Sequence, residues 1–391
     1  MNATEHMIRR AIRLAMTGRG RVEPNPMVGC VLARDGRVIG EGYHTHFGGP
    51  HAEPQALADC MARGESPAGA TAYVTLEPCC HVRKKTPPCA PRLIEAKIAK
   101  VVLGCLDPNP AVNGNGVAML RAAGIDVSRV DPALEAECKQ LIAPFLLRTC
   151  CRRPYVTLKW AETADGKIAG PGGSRLQITG EPANQLVHLL RSRSDAIMVG
   201  VNTVLADDPQ LTARGVEHSR LHTRIILDSK LRAPANARIF LASGEKERTI
   251  IFHSPAAAAN PPADERISRL LNAGAQLILR GENPNDRLSL TDVFEHSLLS
   301  DLSDLMVEPG PAVAQSFFES GLAHRLWIFR SARRVNDDSA PSAIKVPSEY
   351  VVTGHMKIGD DVLTEYLDTK SDAFFAAVPS ADFVLAAEAL M

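Results

Sequence analysis

The chain is 391 residues long, carries 44 Lys and Arg against 44 Asp and Glu, and is 45% hydrophobic. A formal net charge of zero argues against a protein that coats nucleic acid, which would carry a basic face. The lack of about 18 consecutive apolar residues argues against a membrane span. The nine cysteines are an odd set scattered through a long chain; that pattern predicts reduced thiols in a cytoplasmic protein rather than a disulfide framework.

In chain order, Ile8, Ala11, Ile12, Ala15 and Met16 recur at helical spacing, and interrupting charges separate this segment from a secretory signal. Residues 28–44 read as a hairpin turning at Asp35-Gly36. His51-Ala52-Glu53 opens a helix with Pro54 in its first turn and Gly64 at its end. A strand over Thr71–Leu76, a helix after Cys89, a strand over Lys100–Leu106, a helix over 115–123 and a strand over Ile125–Val130 follow. Such alternation predicts a sheet with helices on its faces. Cys30, Cys60, Cys105 and Cys138 lie in apolar segments and read as core residues.

The basic, aperiodic run Arg148–Pro154 marks a boundary, giving domains over 1–147 and 154–391. Val156, Leu158 and Trp160 then alternate with polar residues as in a strand. Further strands are expected near Ala196–Val199, Thr223–Leu227, Thr249–Phe252, Gln276–Leu279 and Leu305–Val307, with helices over 182–193 and 312–320 and a loop over 254–264. Beyond about residue 331 the pattern predicts only strand and loop.

His51-x-Glu53 followed by Pro78-Cys79 and Cys89 matches the pattern of a zinc-dependent deaminase. Zinc held by three protein ligands keeps a fourth position for water and lowers its pKa toward neutrality. Glu53, separated from the His ligand by one residue, can lean beside that position and move protons. A structural zinc site is the competing reading: it wants four protein ligands, and Cys80 or His81 could supply the fourth. Glu53 speaks against it, because a structural site has no use for that carboxylate.

The runs Asn25-Pro26-Met27-Val28-Gly29-Cys30, His51-Ala52-Glu53, Thr75-Leu76-Glu77-Pro78-Cys79 and Thr86-Pro87-Pro88-Cys89 resemble the bifunctional deaminase/reductase family of riboflavin biosynthesis. So do Ala164-Asp165-Gly166-Lys167-Ile168, Thr203-Val204-Leu205-Ala206-Asp207-Asp208-Pro209 and Val307-Glu308-Pro309-Gly310-Pro311. The resemblance implies a cytidine-deaminase-like α/β/α domain followed by a dihydrofolate-reductase-like α/β domain. It implies two reactions on a small phosphorylated pyrimidine: hydrolytic removal of a ring amino group, then NADPH reduction of the ribosyl group to ribityl. It implies Zn2+ and NADPH as cofactors, no nucleic-acid or membrane partner, and a homo-oligomer.

By matching position, the resemblance makes His51, Cys79 and Cys89 the metal ligands and Glu53 the catalytic acid/base. Asn25 and His44 would bind the deaminase substrate. Thr203, Asp207 and Ser229 would contact NADPH, with its phosphates cradled by Gly310, Pro311, Ala312, Val313, Ala314, Gln315 and Ser316. Lys159, Ser174, Arg191, Leu211, Arg214 and Glu308 would line the reductase substrate site. Read by themselves, Arg191 and Arg214 are equally surface charges, Asp207-Asp208 a turn, and Lys159 a solvent-facing lysine on a strand. The chain departs from the family at Gln177, where a tryptophan is expected, and in the length of the run that holds Lys85, between the zinc cysteines. The alternatives are a deaminase with a weakened reductase half, or a zinc deaminase of nucleosides or nucleic acid.

Overall fold

The computed structural model describes residues 2–80, 87–110, 112–217, 219–241, 248–257, 263–282 and 288–390. His81 and Lys85 lie outside them. Met1–Arg152 with Ala373–Ala389 forms one compact unit, and Arg153–Asp372 forms another. The second domain expected over 154–391 therefore ends early: residues 373–389 group with the first unit. Ala381, Phe383 and Ala386 are buried, and Ala381 packs in the cluster of Ile8, Ile12, Val22 and Leu134.

The first unit is built on strands β1 (Gly29–Arg34), β2 (Arg37–Tyr43), β3 (Thr71–Leu76), β4 (Lys100–Cys105) and β5 (Asp126–Arg129), in the order β2-β1-β3-β4-β5. The hairpin turns where predicted, with Asp35 at φ 50 and Gly36 at φ 77, the backbone that a tight two-residue turn demands. β1 runs antiparallel to β2 and β3, whereas β3, β4 and β5 are parallel. Alternate side chains go to opposite faces. Cys30, Leu32, Val74, Val101 and Leu103 pack against the helices Ala52–Ala62, Cys89–Glu95 and Asn115–Ala122. Val31 and Ala33 meet the first helix, Ala3–Met16, and Leu76, Val102 and Cys105 join it with Pro132–Leu141. The result is the expected α/β/α layering of a cytidine-deaminase-like domain. A Cβ at Gly42 would lie 2.4 Å from the Ala56 amide nitrogen. Only glycine lets the helix Ala52–Ala62 sit this close to β2, and that approach places His51 and Glu53 at the sheet edge.

The second sheet contains β6 (Tyr155–Glu162), β7 (Ala196–Gly200), β8 (Thr223–Leu227), β9 (Arg248–His253), β10 (Ala275–Leu279), β11 (Asp304–Val307), β12 (Arg325–Arg330), β13 (Tyr350–Ile358) and β14 (Asp361–Asp368). Their order is β10-β9-β8-β7-β11-β6-β12-β14-β13. From β10 to β12 neighbours are parallel; β12, β14 and β13 pair antiparallel. β7 and β11 are buried throughout, as parallel strands covered on both faces must be. This is the dihydrofolate-reductase-like α/β half. Strand order reverses around β7, β11 and β6, and such a switch point opens a crevice at the strands' carboxyl ends. The helices expected over 182–193 and 312–320 are Glu181–Ser192 and Pro311–Ser320. Past residue 331 the strand and loop expected there take the form of the hairpin β13–β14 and its connections, and the helix Ala381–Leu390 is an element that expectation lacked. The helix Ala263–Asn272 overlaps the end of the predicted 254–264 loop.

Candidate active sites

In the first unit, His51 caps the helix Ala52–Ala62, Cys79 follows β3, and Cys89 begins the helix Cys89–Glu95. Backbone bonds from Cys89 N and Ala90 N to the Cys79 carbonyl, at 3.0 and 3.1 Å, hold the two cysteines together. His51 Nδ1 lies 3.6 Å from Cys79 Sγ and 3.4 Å from Cys89 Sγ. The three donor atoms all fall within 4.8 Å of one another. A tetrahedral zinc with ordinary Zn–N and Zn–S bonds sets its N and S ligand atoms about 3.5 Å apart, so the donor set fits the ion in both chemistry and spacing. Among the described residues Cys80 does not join the group. The fourth-ligand reading on His81 falls outside the described residues.

Glu53 sits in the first helical turn, 3% exposed, and lines a cavity of about 370 Å³ with His51 and Cys79. Burial pushes its carboxyl above the usual carboxylate range, and Cys79 adds to the rise. Asn25 and His44 line the same cavity. His44 Nδ1 meets the Pro50 carbonyl at 3.0 Å, and its Nε2 meets Asn25 Nδ2 at 3.1 Å. A carbonyl can only accept, so neutral His44 carries its proton on Nδ1 and accepts from Asn25. With Nδ2 committed to His44, the carboxamide oxygen is the group Asn25 has to offer as an acceptor.

Glu77 was given no role by the sequence. It is 3% exposed and lines the cavity with Asp107 and Asn109. Its carboxylate accepts backbone N–H bonds from Gly114 at 2.9 Å, Val117 at 3.1 Å and Asp107 at 3.3 Å. Glu77 thus seats the start of the helix Asn115–Ala122 and the loop before it against the turn that carries Cys79. Its place inside the Thr75–Cys79 run was the available signal. Phe47 and Phe145 also line the cavity, and their spacing in sequence carries no motif.

In the second unit, two cavities gather at the carboxyl ends of β6, β7, β8 and β11. The larger, about 790 Å³, is lined by Gly200, Thr203, Leu227, Ser229, Lys230, Gly310, Pro311, Ala312, Val313 and Ser316, among others. The smaller, about 210 Å³, is lined by Lys159, Thr203, Asp207, Glu308, Gly310, Pro311 and Ala314, among others. Thr203, Gly310 and Pro311 wall both. Of the run Gly310–Ser316 only Gln315 lines neither; its amide bonds Glu319 Oε1 at 2.7 Å. A Cβ on Gly200 would come 2.7 Å from Val313 Cγ2, so glycine lets the helix Pro311–Ser320 begin against the end of β7.

Arg191 does not line either cavity but forks onto Glu308, Nε to Oε1 at 2.6 Å and Nη2 to Oε2 at 2.8 Å. Burial alone would raise Glu308; Arg191 and then Lys159 draw it down to about 2. Burial lowers the Lys159 ammonium while Glu308 opposes that shift. Lys159 is therefore a wall of the small cavity beside a carboxylate, rather than a solvent-facing lysine. The other expected substrate contacts are not gathered there. Leu211 is buried at φ 51, Arg214 is exposed and bonds Gln210 Oε1 at 2.8 Å, and Ser174 is exposed; none of the three lines either cavity. Gln177 is exposed too, its carbonyl accepting from Arg333 Nη1 at 3.0 Å.

Residues 1–105 match the model of the cytidine and deoxycytidylate deaminase zinc-binding region, and residues 154–353 match that of the RibD C-terminal domain. The riboflavin biosynthesis protein RibD of Actinobacillus pleuropneumoniae is 38% identical over 92% of this chain and 94% of its own. That of Aquifex aeolicus is 40% identical over 82% and 84%. Among solved structures, a diaminohydroxyphosphoribosylaminopyrimidine deaminase/5-amino-6-(5-phosphoribosylamino)uracil reductase from Thermotoga maritima is 36% identical with a TM-score of 0.74, covering 94% of this chain and 99% of that one. RibD of Acinetobacter baumannii is 31% identical, also at TM-score 0.74 and the same coverage.

Proposed function

The chain belongs to the RibD family, the bifunctional deaminase and reductase of riboflavin biosynthesis, and from that premise we propose which of its residues carry each reaction. His51, Cys79 and Cys89 hold the zinc of the deaminase half. When bound there, the ion would supply a Lewis acid that makes water nucleophilic near neutral pH. Glu53 would take a proton from the attacking water and give it to the exocyclic amino nitrogen, which leaves as ammonia while the carbon that bore it becomes a carbonyl. The Glu53 carboxyl is buried and lines the cavity beside His51 and Cys79, the placement that an acid/base needs for both transfers. Asn25, oriented by His44, hydrogen-bonds the pyrimidine edge and holds its amino-bearing carbon toward Glu53.

In the reductase half we place NADPH in the larger cavity, with its phosphates against the start of the helix Pro311–Ser320, where amide groups and the helix dipole favour anions. The cofactor supplies the hydride. Thr203, Gly310 and Pro311 wall both cavities and so mark where nicotinamide and sugar meet. Lys159 and Glu308 orient the ribosyl group in the smaller cavity, and Arg191 holds Glu308 in place. We further place the enzyme in the cytoplasm, where thiols persist as metal ligands, and expect a homo-oligomer.

The spacing of His51, Cys79 and Cys89 with Glu53 at their side carries this reading. Ammonia release and NADPH oxidation, measured separately on the purified chain together with its zinc content, test it. A chain that binds one zinc, releases ammonia and consumes NADPH supports the assignment. A chain without tightly held zinc contradicts the deaminase centre, and NADPH turnover at background favours a noncatalytic second half.

A further inference from the structure

Arg19 bridges two carboxylates inside the first unit, and neither belongs to the cavity wall. Its Nη1 lies 2.7 Å from Glu23 Oε1, and its Nε lies 3.1 Å from Asp382 Oδ2. The side chains of Arg19, Glu23 and Asp382 are only 5%, 6% and 1% exposed. Asp382 arrives from the far end of the chain, in the first turn of the helix Ala381–Leu390. The segment ahead of that helix is fastened to the first unit as well: Phe375 N and Ala376 N donate to Gln140 Oε1 at 2.9 and 3.3 Å.

Arg19 stands in the irregular segment that delivers Asn25 to the cavity. Gly20 N donates to Glu23 Oε1 at 3.1 Å, Val22 N to the Gly18 carbonyl at 3.2 Å, and Asn25 N to the Val22 carbonyl at 3.0 Å. The Arg21 carbonyl accepts from Phe47 N at 2.8 Å, so the same segment also anchors a second cavity wall. The segment folds around the Arg19–Glu23 pair, and Asp382 fixes Arg19 from the other side. We propose that Asp382 is a positioning residue for deamination: through Arg19 it holds Gly18–Asn25 in the shape that presents Asn25 to the pyrimidine. The chain's C-terminal helix thereby completes the deaminase half. This inference rests on the reading of Asn25 as a substrate-binding residue.

The test uses the full chain. Asp382→Asn keeps the shape and removes the charge; Arg19→Met removes the other end of the bond and guards against a single variant that misfolds. Asn25 contributes binding common to ground and transition state, so each variant should raise the deaminase KM by about ten-fold with kcat within about two-fold. Zinc content and NADPH consumption should match the parent. Asn25→Ala should raise KM similarly, and Asn25→Ala/Asp382→Asn should be no worse than Asn25→Ala alone, because both changes act on one contact. An unchanged KM in Asp382→Asn, beside a raised one in Asn25→Ala, overturns the inference and leaves Asn25 its role. An unchanged KM in Asn25→Ala overturns both. Multiplying effects in the double variant, or loss of zinc from both single charge variants, overturns positioning in favour of a purely structural bond.

Discussion

The 370 Å³ cavity of the first unit is lined by the metal-donor candidates His51 and Cys79 with the carboxylates Glu53 and Glu77, whereas the lining of the 790 Å³ cavity of the second includes the small residues Gly200, Gly310 and Ala312 at helix starts. A metal centre demands particular donor atoms at fixed separations, so it constrains residue identity. A nucleotide-sized crevice demands shape, amide groups and a helix start, which many residues can provide. In the second unit, identity is constrained chiefly around the smaller cavity, where Lys159, Glu308 and Arg191 form a charge network.

Glu53→Gln should break this comparison most sharply. Ammonia release should fall by about 10²- to 10⁴-fold, the usual contribution of a positioned acid/base, with zinc retained and NADPH consumption on the deaminated intermediate intact. A parallel fall in both activities would mean that the two sites are not independent. Next in size, Glu308→Gln leaves Arg191 and Lys159 without their carboxylate. The Arg191 and Glu308 side chains are 14% and 16% exposed, so the cost should be about 2–4 kcal/mol, somewhat below that of a fully buried pair. It should appear in the thermal transition of the second unit, and in NADPH consumption but not in ammonia release.

A smaller effect concerns pH. Burial holds His324 down to about 4, against about 6.5 in an unfolded chain. The unfolded state therefore binds the extra proton first as pH falls. The stabilisation of the second unit is complete above pH 6.5 and is lost as pH drops toward 4, about 2 kcal/mol of it by pH 5. Urea titrations at pH 7 and pH 5 should show that loss in the parent and a shallower dependence in His324→Gln. The least expected change is Gln177→Trp. Gln177 is exposed and lines neither cavity, so stability should stay within about 0.5 kcal/mol and the KM for NADPH should not move. A large gain in NADPH affinity would show that this loop closes over the cofactor.

Much of the fold was legible. The five strands of the first sheet and β6–β11 of the second announce themselves through alternation or continuous apolar runs. The hairpin β13–β14 does not, because its buried positions carry charge: Glu365 is fully buried, accepting from Trp327 Nε1 at 2.9 Å and from Thr353 Oγ1 at 3.0 Å. Such partners come from elsewhere in the chain, and without them a buried glutamate reads as a surface residue. The helix Pro132–Leu141, which was not among the expected elements, carries its own signal: Asp131 caps Ala133 N and Leu134 N ahead of Pro132.

By itself the sequence marked the candidate metal donors His51, Cys79 and Cys89, the carboxylate Glu53 beside them and the alternation of elements that presents them. Ligand chemistry admits few residue types, and helix starts are set by neighbours a few positions away. Tertiary structure alone decided that Arg191 grips Glu308, that Lys159 faces a cavity, and that Asp382 returns to Arg19. Those pairings join residues over a hundred positions apart, and no local period records which distant segments packing will bring together.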